Sequence, residues 1–134
     1  MIDITAGLYD ELARLVLAEF PGAYVRTELT LSPAAYPAVF IEQSFSSEVD
    51  SVRDSSGEEQ TNAIIWTVNI YSNSDSDPKQ ECKHILSIID ARMRLYNFKR
   101  LTARFVNNLE NPEITRYVGR FTGLVDKYGL CYWR

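Results

Sequence analysis

The residues best suited to nucleophilic or metal chemistry are a single histidine, His84, and two cysteines, Cys82 and Cys131. Apolar periodicity around His84 predicts a helix, on which positions two residues apart diverge by about 200°. Cys82 and His84 therefore cannot share a metal ion, and we interpret His84 as a partly exposed helix residue. No feature of the sequence brings Cys131 to His84. We interpret both cysteines as reduced core thiols of a cytosolic protein.

Acidic pairs occur at Glu58-Glu59 and at Asp75 and Asp77, in polar stretches where carboxylates are usually solvated. Residues 74–78 begin like a calcium loop but lack the later glycine and the bidentate glutamate of such loops. Asp77 is better interpreted as a helix N-cap, because Pro78 suits the first helical position. Glycines are scattered, so no phosphate loop is predicted. These residues predict no enzyme activity, no cofactor and no metal site.

Two groups of charged residues are candidate interface residues. The first lies in the polar stretch from Ser46 to Asn62, which is predicted to be a long hairpin loop that orders on contact, and comprises Glu48, Asp50, Arg53, Asp54, Glu58 and Glu59. The second consists of basic residues that strand alternation places on the outer face of two adjacent strands: Arg100, Arg104, Arg116 and Arg120. The second group is either a solvated sheet face or a docking surface for an acidic partner.

The most apolar run, Ala63–Tyr71, predicts the central strand that organises these groups. The predicted elements, in chain order, are a helix over 5–20, strands over 23–31, 38–45 and 63–71, a helix from 78 to about 96, and strands over 98–107, 114–127 and 130–133. The strands that flank the polar loop are expected to pair antiparallel. This grouping predicts an α+β fold, a mainly antiparallel sheet packed on one face by two helices.

Composition narrows the possible partners of this single-domain chain of 134 residues. The formal net charge of −4 and the sequence pI of 5.0 argue against nucleic acid as a direct ligand, since phosphate binding needs clustered cations. No apolar run approaches the roughly 20 residues that span a bilayer. The N-terminus has no basic segment or cleavage signature, so no signal peptide is predicted.

A resemblance to a known family rests on packing and turn residues spread over nearly the whole chain: Phe20-Pro21, Tyr36–Glu42, Val68–Asn73, Glu81–Leu86, Ile114–Phe121 and Val125-Asp126. In this order, and at this chain length, the segments resemble the tail terminator, or tail-to-head joining, proteins of long-tailed bacteriophages and prophages. The resemblance implies one tail-terminator-like domain over residues 1–134, with two helices against a sheet. It implies no enzyme activity, cofactor or catalytic residue.

The resemblance also implies a structural virion protein. Such a protein forms a ring, usually hexameric, that caps the tail tube, ends tail growth and joins the tail to the head connector. The expected partners are other copies of itself, the tail tube protein and the head-completion or connector protein, with DNA passing through without specific binding and no membrane contact. We expect it in the host cytoplasm during assembly and then in the virion, at the head–tail interface.

Three hypotheses follow for the charged groups. The polar loop is expected to order against a neighbouring subunit or the tail tube, and its acids to face the tail lumen, where they would repel DNA phosphates. The arginines are expected to contact an acidic partner surface. The alternatives are a neighbouring head-completion or neck protein, a non-viral cytosolic adaptor or immunity protein, and an enzyme or small-ligand protein, which would need a pocket with convergent titratable groups.

Overall fold

The structure, a computed structural model, describes residues 5–27, 33, 35–48, 61–107, 113–126 and 131–132. Within these ranges the elements are helices α1 (Thr5–Glu19) and α2 (Pro78–Leu95), and strands β1 (Tyr24–Arg26), β2 (Ala38–Glu48), β3 (Thr61–Ser72), β4 (Lys99–Val106), β5 (Thr115–Asp126) and β6 (Cys131–Tyr132). The predicted α+β class is therefore confirmed. Of the predicted 23–31 strand, only Tyr24–Arg26 is strand. Ala23 and Thr27 are described but lie outside the strand, and 28–31 lie outside the described ranges.

The strands form one sheet in the order β1-β2-β3-β5-β4, and β6 pairs with β5 beyond the end of β4. β1 runs parallel to β2, and every other pair described is antiparallel. β3 lies at the centre, as its continuous apolar sequence predicts. The expected antiparallel pairing of β2 with β3 is also confirmed.

The main core lies between the two helices and one face of the sheet. It contains Leu8, Leu12 and Val16 of α1, Cys82, Ile85, Leu86, Ile89 and Met93 of α2, and Val25, Val39, Ile41, Ile64, Trp66, Val68, Ile70, Phe98, Tyr117 and Phe121 from the sheet and its connections. Period-3.6 stripes on the helices and period-2 alternation on the strands explain this segregation. Tyr96 was expected to continue the α2 stripe but is exposed, because the helix ends at Leu95.

The ends of α2 follow local rules that the sequence displays. The Asp77 carboxylate accepts a hydrogen bond from the Gln80 backbone N–H at 3.1 Å, and Pro78 takes the first helical position. At the other end Asn97 has a φ of 64°, the left-handed conformation that commonly stops a helix. Both predicted ends are confirmed.

The hairpin ladder between β2 and β3 extends further than the sequence predicts. Pairing continues to Glu48 opposite Asn62, so both margins of the expected Ser46–Asn62 loop are strand. The remainder of that loop, residues 49–60, lies outside the described residues.

Candidate functional site

The face of the sheet turned away from the helices carries the predicted arginines of β5. Tyr117, Gly119 and Phe121 are buried on the helix-packed side, so the alternating Arg116 and Arg120 lie on the helix-free side. The β4 ladder places Arg104 opposite Val118, on the same helix-free side. Two adjacent strands thus bring three of the four predicted arginines to one face, as expected.

Arg100 does not join them. The ladder pairs Arg100 with Phe121, whose ring is in the core of the helix-packed side, whereas Lys99 pairs with Thr122 on the helix-free side. The cause is a register shift between Arg100 and Thr102, which reverses the alternation at the start of β4. The same shift leaves Leu101 48% exposed, although simple alternation predicts that it joins Ala103 and Phe105.

We call the resulting set, Lys99, Arg104, Arg116 and Arg120, the basic strip. Lys99, Arg104 and Arg120 are exposed, and Arg116 is half-buried. Within the described ranges, the three exposed members Lys99, Arg104 and Arg120 form no ion pair with an acidic side chain. Glu42 shares the face, but the ladders place it two strands from Arg120, about 10 Å away. The strip therefore presents positive charge to solvent.

Arg116 differs from its neighbours because it is engaged within the sheet. Its Nε and Nη2 donate to the Asn69 side-chain oxygen at 3.2 and 2.8 Å, and its guanidinium lies 5.6 Å from the centre of the Tyr71 ring. Asn69 is only 3% exposed, so loss of these bonds would leave a buried amide oxygen without its donors. Arg116 is a structural residue, and Arg104 and Arg120 are better placed to meet a partner.

The opposite part of the helix-free face is aromatic. Phe40 contacts the edges or faces of Tyr24 and Tyr71, with ring centres 6.1 and 5.8 Å apart, and Arg26 stacks on Tyr24 at 4.3 Å. Phe40 is fully buried outside the main core. We call Tyr24, Phe40 and Tyr71 the aromatic row. Sequence reasoning missed it, because each of these residues alternates with the core-facing residues of its strand and so occupies a position where polar side chains are usual.

The acidic candidates cannot be placed alongside the strip. Glu48 ends β2, and its side chain lies outside the described residues. The other predicted members of the polar loop lie wholly outside them: Asp50, Arg53, Asp54, Glu58 and Glu59.

The residues considered for catalysis or metal binding are separate. Cys82 is buried against the Ile70 carbonyl at 4.0 Å, and His84 is exposed and pairs with Glu19 of α1. The two side chains therefore lie on different sides of α2, one in the core and one at the surface. In the described part of the chain, no group of three or more His, Cys, Asp and Glu residues could hold a metal ion.

No helix among the described residues is both long and apolar enough to cross a membrane. Comparison with known proteins adds no identification: no family model matches the chain, and a search of curated proteins finds no match either.

Proposed function

We propose that this protein is a structural subunit of a long-tailed bacteriophage or prophage, a tail terminator that forms a ring on the tail tube and joins the tail to the head connector. In this role it has no enzymatic activity. It assembles in the host cytoplasm and stays at the head–tail interface of the virion. Segments spread along nearly the whole chain, from Phe20-Pro21 to Val125-Asp126, resemble this family and support the assignment to a tail terminator.

The observation that carries the proposal is the exposed pair Arg104 and Arg120 on the helix-free face. Arginines displayed on a rigid sheet, without acidic partners among the described residues, suit recognition of an acidic protein surface. The mainly antiparallel sheet is packed by helices on one side, and Arg104 and Arg120 are exposed on the other. Subunits that cap a tube need such a surface in addition to the contacts that close a ring.

The proposal is tested by removing the gene from its phage or prophage and examining the particles by electron microscopy. We expect overlong or unjoined tails together with separate filled heads. Tails of normal length that fail to join would point to a neighbouring head-completion protein instead. Normal infectious particles would refute the proposal.

Complementation with point variants tests the surface itself. Arg104→Glu with Arg120→Glu should fail to restore joined particles, because two attractive charges become repulsive, while the purified variant melts at the wild-type temperature. Arg14→Glu is the matched control, since Arg14 is exposed on α1, on the other side of the sheet, and it should complement fully. Arg116 is unsuitable for this test because it also supports Asn69.

A further inference from the structure

One side of β4 has no strand beside it in the described part of the chain. There β4 pairs with β5 alone, so the peptide groups along its other side lack a ladder partner. Beyond the register shift, Thr102–Val106 pairs regularly with β5, and at about 3.3 Å per residue this stretch spans about 16 Å. We call this open side the β4 edge. Its regular stretch has the geometry to accept a further strand.

The charged residues of β4 are all positive. The strand contains Lys99, Arg100 and Arg104 and no acidic residue, and all three side chains are exposed. Arg100 lies on the helix-packed side of the sheet, whereas Lys99 and Arg104 lie on the helix-free side. A strand added at the β4 edge would alternate its side chains between these two sides, and it would meet cations on both.

Two lysines of α2 extend this charge over the helix-packed side of β4. Lys79 Nζ and Lys83 Nζ lie 5.5 and 5.9 Å from the centre of the Phe105 ring. Both lysines are exposed, and within the described ranges neither forms an ion pair with an acidic side chain. The acid between them on the helix, Glu81, accepts a hydrogen bond from the Ser72 hydroxyl. Helix and strand therefore present cations together beside the β4 edge.

This charge selects the kind of strand that the β4 edge accepts. A second β4 would bring like charges together, which destabilises cross-strand pairs. The cations and the bulge thus protect the edge from copies of itself. An acidic strand would instead gain pairs of opposite charge on both sides and would lie beside Leu101, which is 48% exposed.

We propose that the β4 edge binds an extended acidic segment of a partner protein by strand addition. Backbone hydrogen bonds to Thr102–Val106 supply the affinity, and carboxylates that pair with Arg100 and Arg104 supply the specificity. The segment has carboxylates at adjacent positions, because neighbouring residues of a strand point to opposite sides. The inference rests on the proposed function for its setting, and it gives the acidic partner of Arg104 an extended shape.

A synthetic peptide tests this contact without any phage. The probe is a fluorescent eight-residue peptide in which pairs of glutamates alternate with pairs of threonine and valine. We expect the wild type to bind it in fluorescence anisotropy at low salt, and Arg100→Glu with Arg104→Glu to weaken binding about tenfold or more. Arg14→Glu, exposed on α1, should bind like the wild type, and melting temperatures check that each variant folds. Absence of binding at about 1 mM peptide would overturn the inference.

Methylation of the peptide backbone separates strand addition from simple charge attraction. N-methyl groups on the four central residues of the probe remove N–H donors from both of its edges and leave its charge unchanged. The methylated peptide should bind about tenfold more weakly or worse. Equal binding of the two peptides would mean attraction without an added strand, and the inference would then be wrong.

Amide hydrogen exchange identifies where the peptide binds. In ¹⁵N-labelled protein saturated with the probe, the amides of Thr102–Val106 that point to the open side should exchange about tenfold more slowly. Amides of α1 serve as the internal reference and should not change. Unchanged exchange in β4, or protection confined to β1 at the other edge of the sheet, would contradict the proposal.

Nucleic acid is the other polyanion that exposed cations attract. The net charge of −4 and the unpaired peptide groups of the β4 edge favour a peptide, since a nucleic acid cannot continue a ladder of N–H and C=O groups. Competition with an oligothymidylate tests this preference. An oligothymidylate that binds more tightly than the probe and displaces it would refute the inference.

These results are independent of the gene-deletion experiment. Peptide addition at the β4 edge together with normal tails after deletion would refute the proposed function alone. Overlong tails after deletion, with no peptide bound by the purified protein, would refute the inference alone.

Discussion

At the scale of single residues, two glycines of β5 determine how closely α2 and the residues that follow it can pack against the sheet. A Cβ on Gly119 would lie 2.8 Å from Leu86 Cδ1, and one on Gly123 would lie 2.7 Å from Phe98 Cδ1. Leu86 and Phe98 are both buried, so neither can move without disturbing the core. The glycines are therefore needed for close approach, a role that strand patterning does not reveal.

Alanine at either position should destabilise the fold by overpacking. We expect Gly119→Ala and Gly123→Ala each to lower the free energy of unfolding by about 1–3 kcal/mol, measured by urea denaturation. Gly7→Ala is the control, because a Cβ there would meet nothing within 4 Å. Gly7 lies in α1, so this change should raise stability by about 0.5–1 kcal/mol. Equal effects at all three positions would contradict the packing argument.

At the scale of elements, α2 covers the sheet, and the residue at which it begins is specified by its own sequence. Asp77 caps the first turn, and the Ser72 hydroxyl, fully buried at the end of β3, donates to Glu81 of that turn at 2.6 Å. The turn between β3 and α2 thus joins the central strand to the covering helix through local bonds. Local chemistry of this kind can be read from sequence.

Removal of the cap should weaken the whole domain measurably. Asp77→Ala is expected to cost about 1 kcal/mol of unfolding free energy, because the Gln80 N–H loses its acceptor, and Asp77→Ser should retain most of the stability. Asp75→Ala, an exposed acid two residues earlier, should change stability by less than about 0.5 kcal/mol. An effect of Asp75→Ala as large as that of Asp77→Ala would indicate general electrostatics rather than capping.

Some features of these elements could be predicted from the sequence and others could not. Alternation and helical periodicity located both helices and the long strands, since a single core face imposes these periods. The register shift at Leu101 was not predictable, because one extra residue in an edge strand leaves the local polarity pattern almost unchanged. That shift is why Lys99 replaces Arg100 in the basic strip. Burial of Phe40 on the helix-free face likewise depends on tertiary contacts that no local pattern contains.

At the scale of the whole molecule, the sheet has two different faces. One is packed by α1 and α2 into the main core, and the other combines the aromatic row at β1, β2 and β3 with the basic strip at β4 and β5. The side chains of Arg104 and Arg120 are exposed on the face turned away from the main core, so charge reversal at either position should leave the core intact. The proposed function can therefore be tested with folded protein.

Stability of the whole domain should depend on alkaline pH through Cys82. Burial, and to a lesser extent the charge of Glu81, raises the pKa of this thiol from 9.0 to about 12. Between these values the unfolded chain loses the thiol proton and the folded chain keeps it. The folded state then binds more protons, so the free energy of unfolding falls as pH rises; below pH 9 the stabilisation is complete.

Comparison with Cys82→Ala isolates this contribution, because all other titrating groups are present in both proteins. Above pH 9, the free energy of unfolding of the wild type should fall steadily relative to that of the variant. The slope should stay below about 1.4 kcal/mol per pH unit, which is the limit for one proton. Urea denaturation at pH 8, 9, 10 and 11 under reducing conditions measures the difference. A difference that stays constant over this range would contradict the prediction, because the thiol would then have the same pKa in the folded and unfolded states.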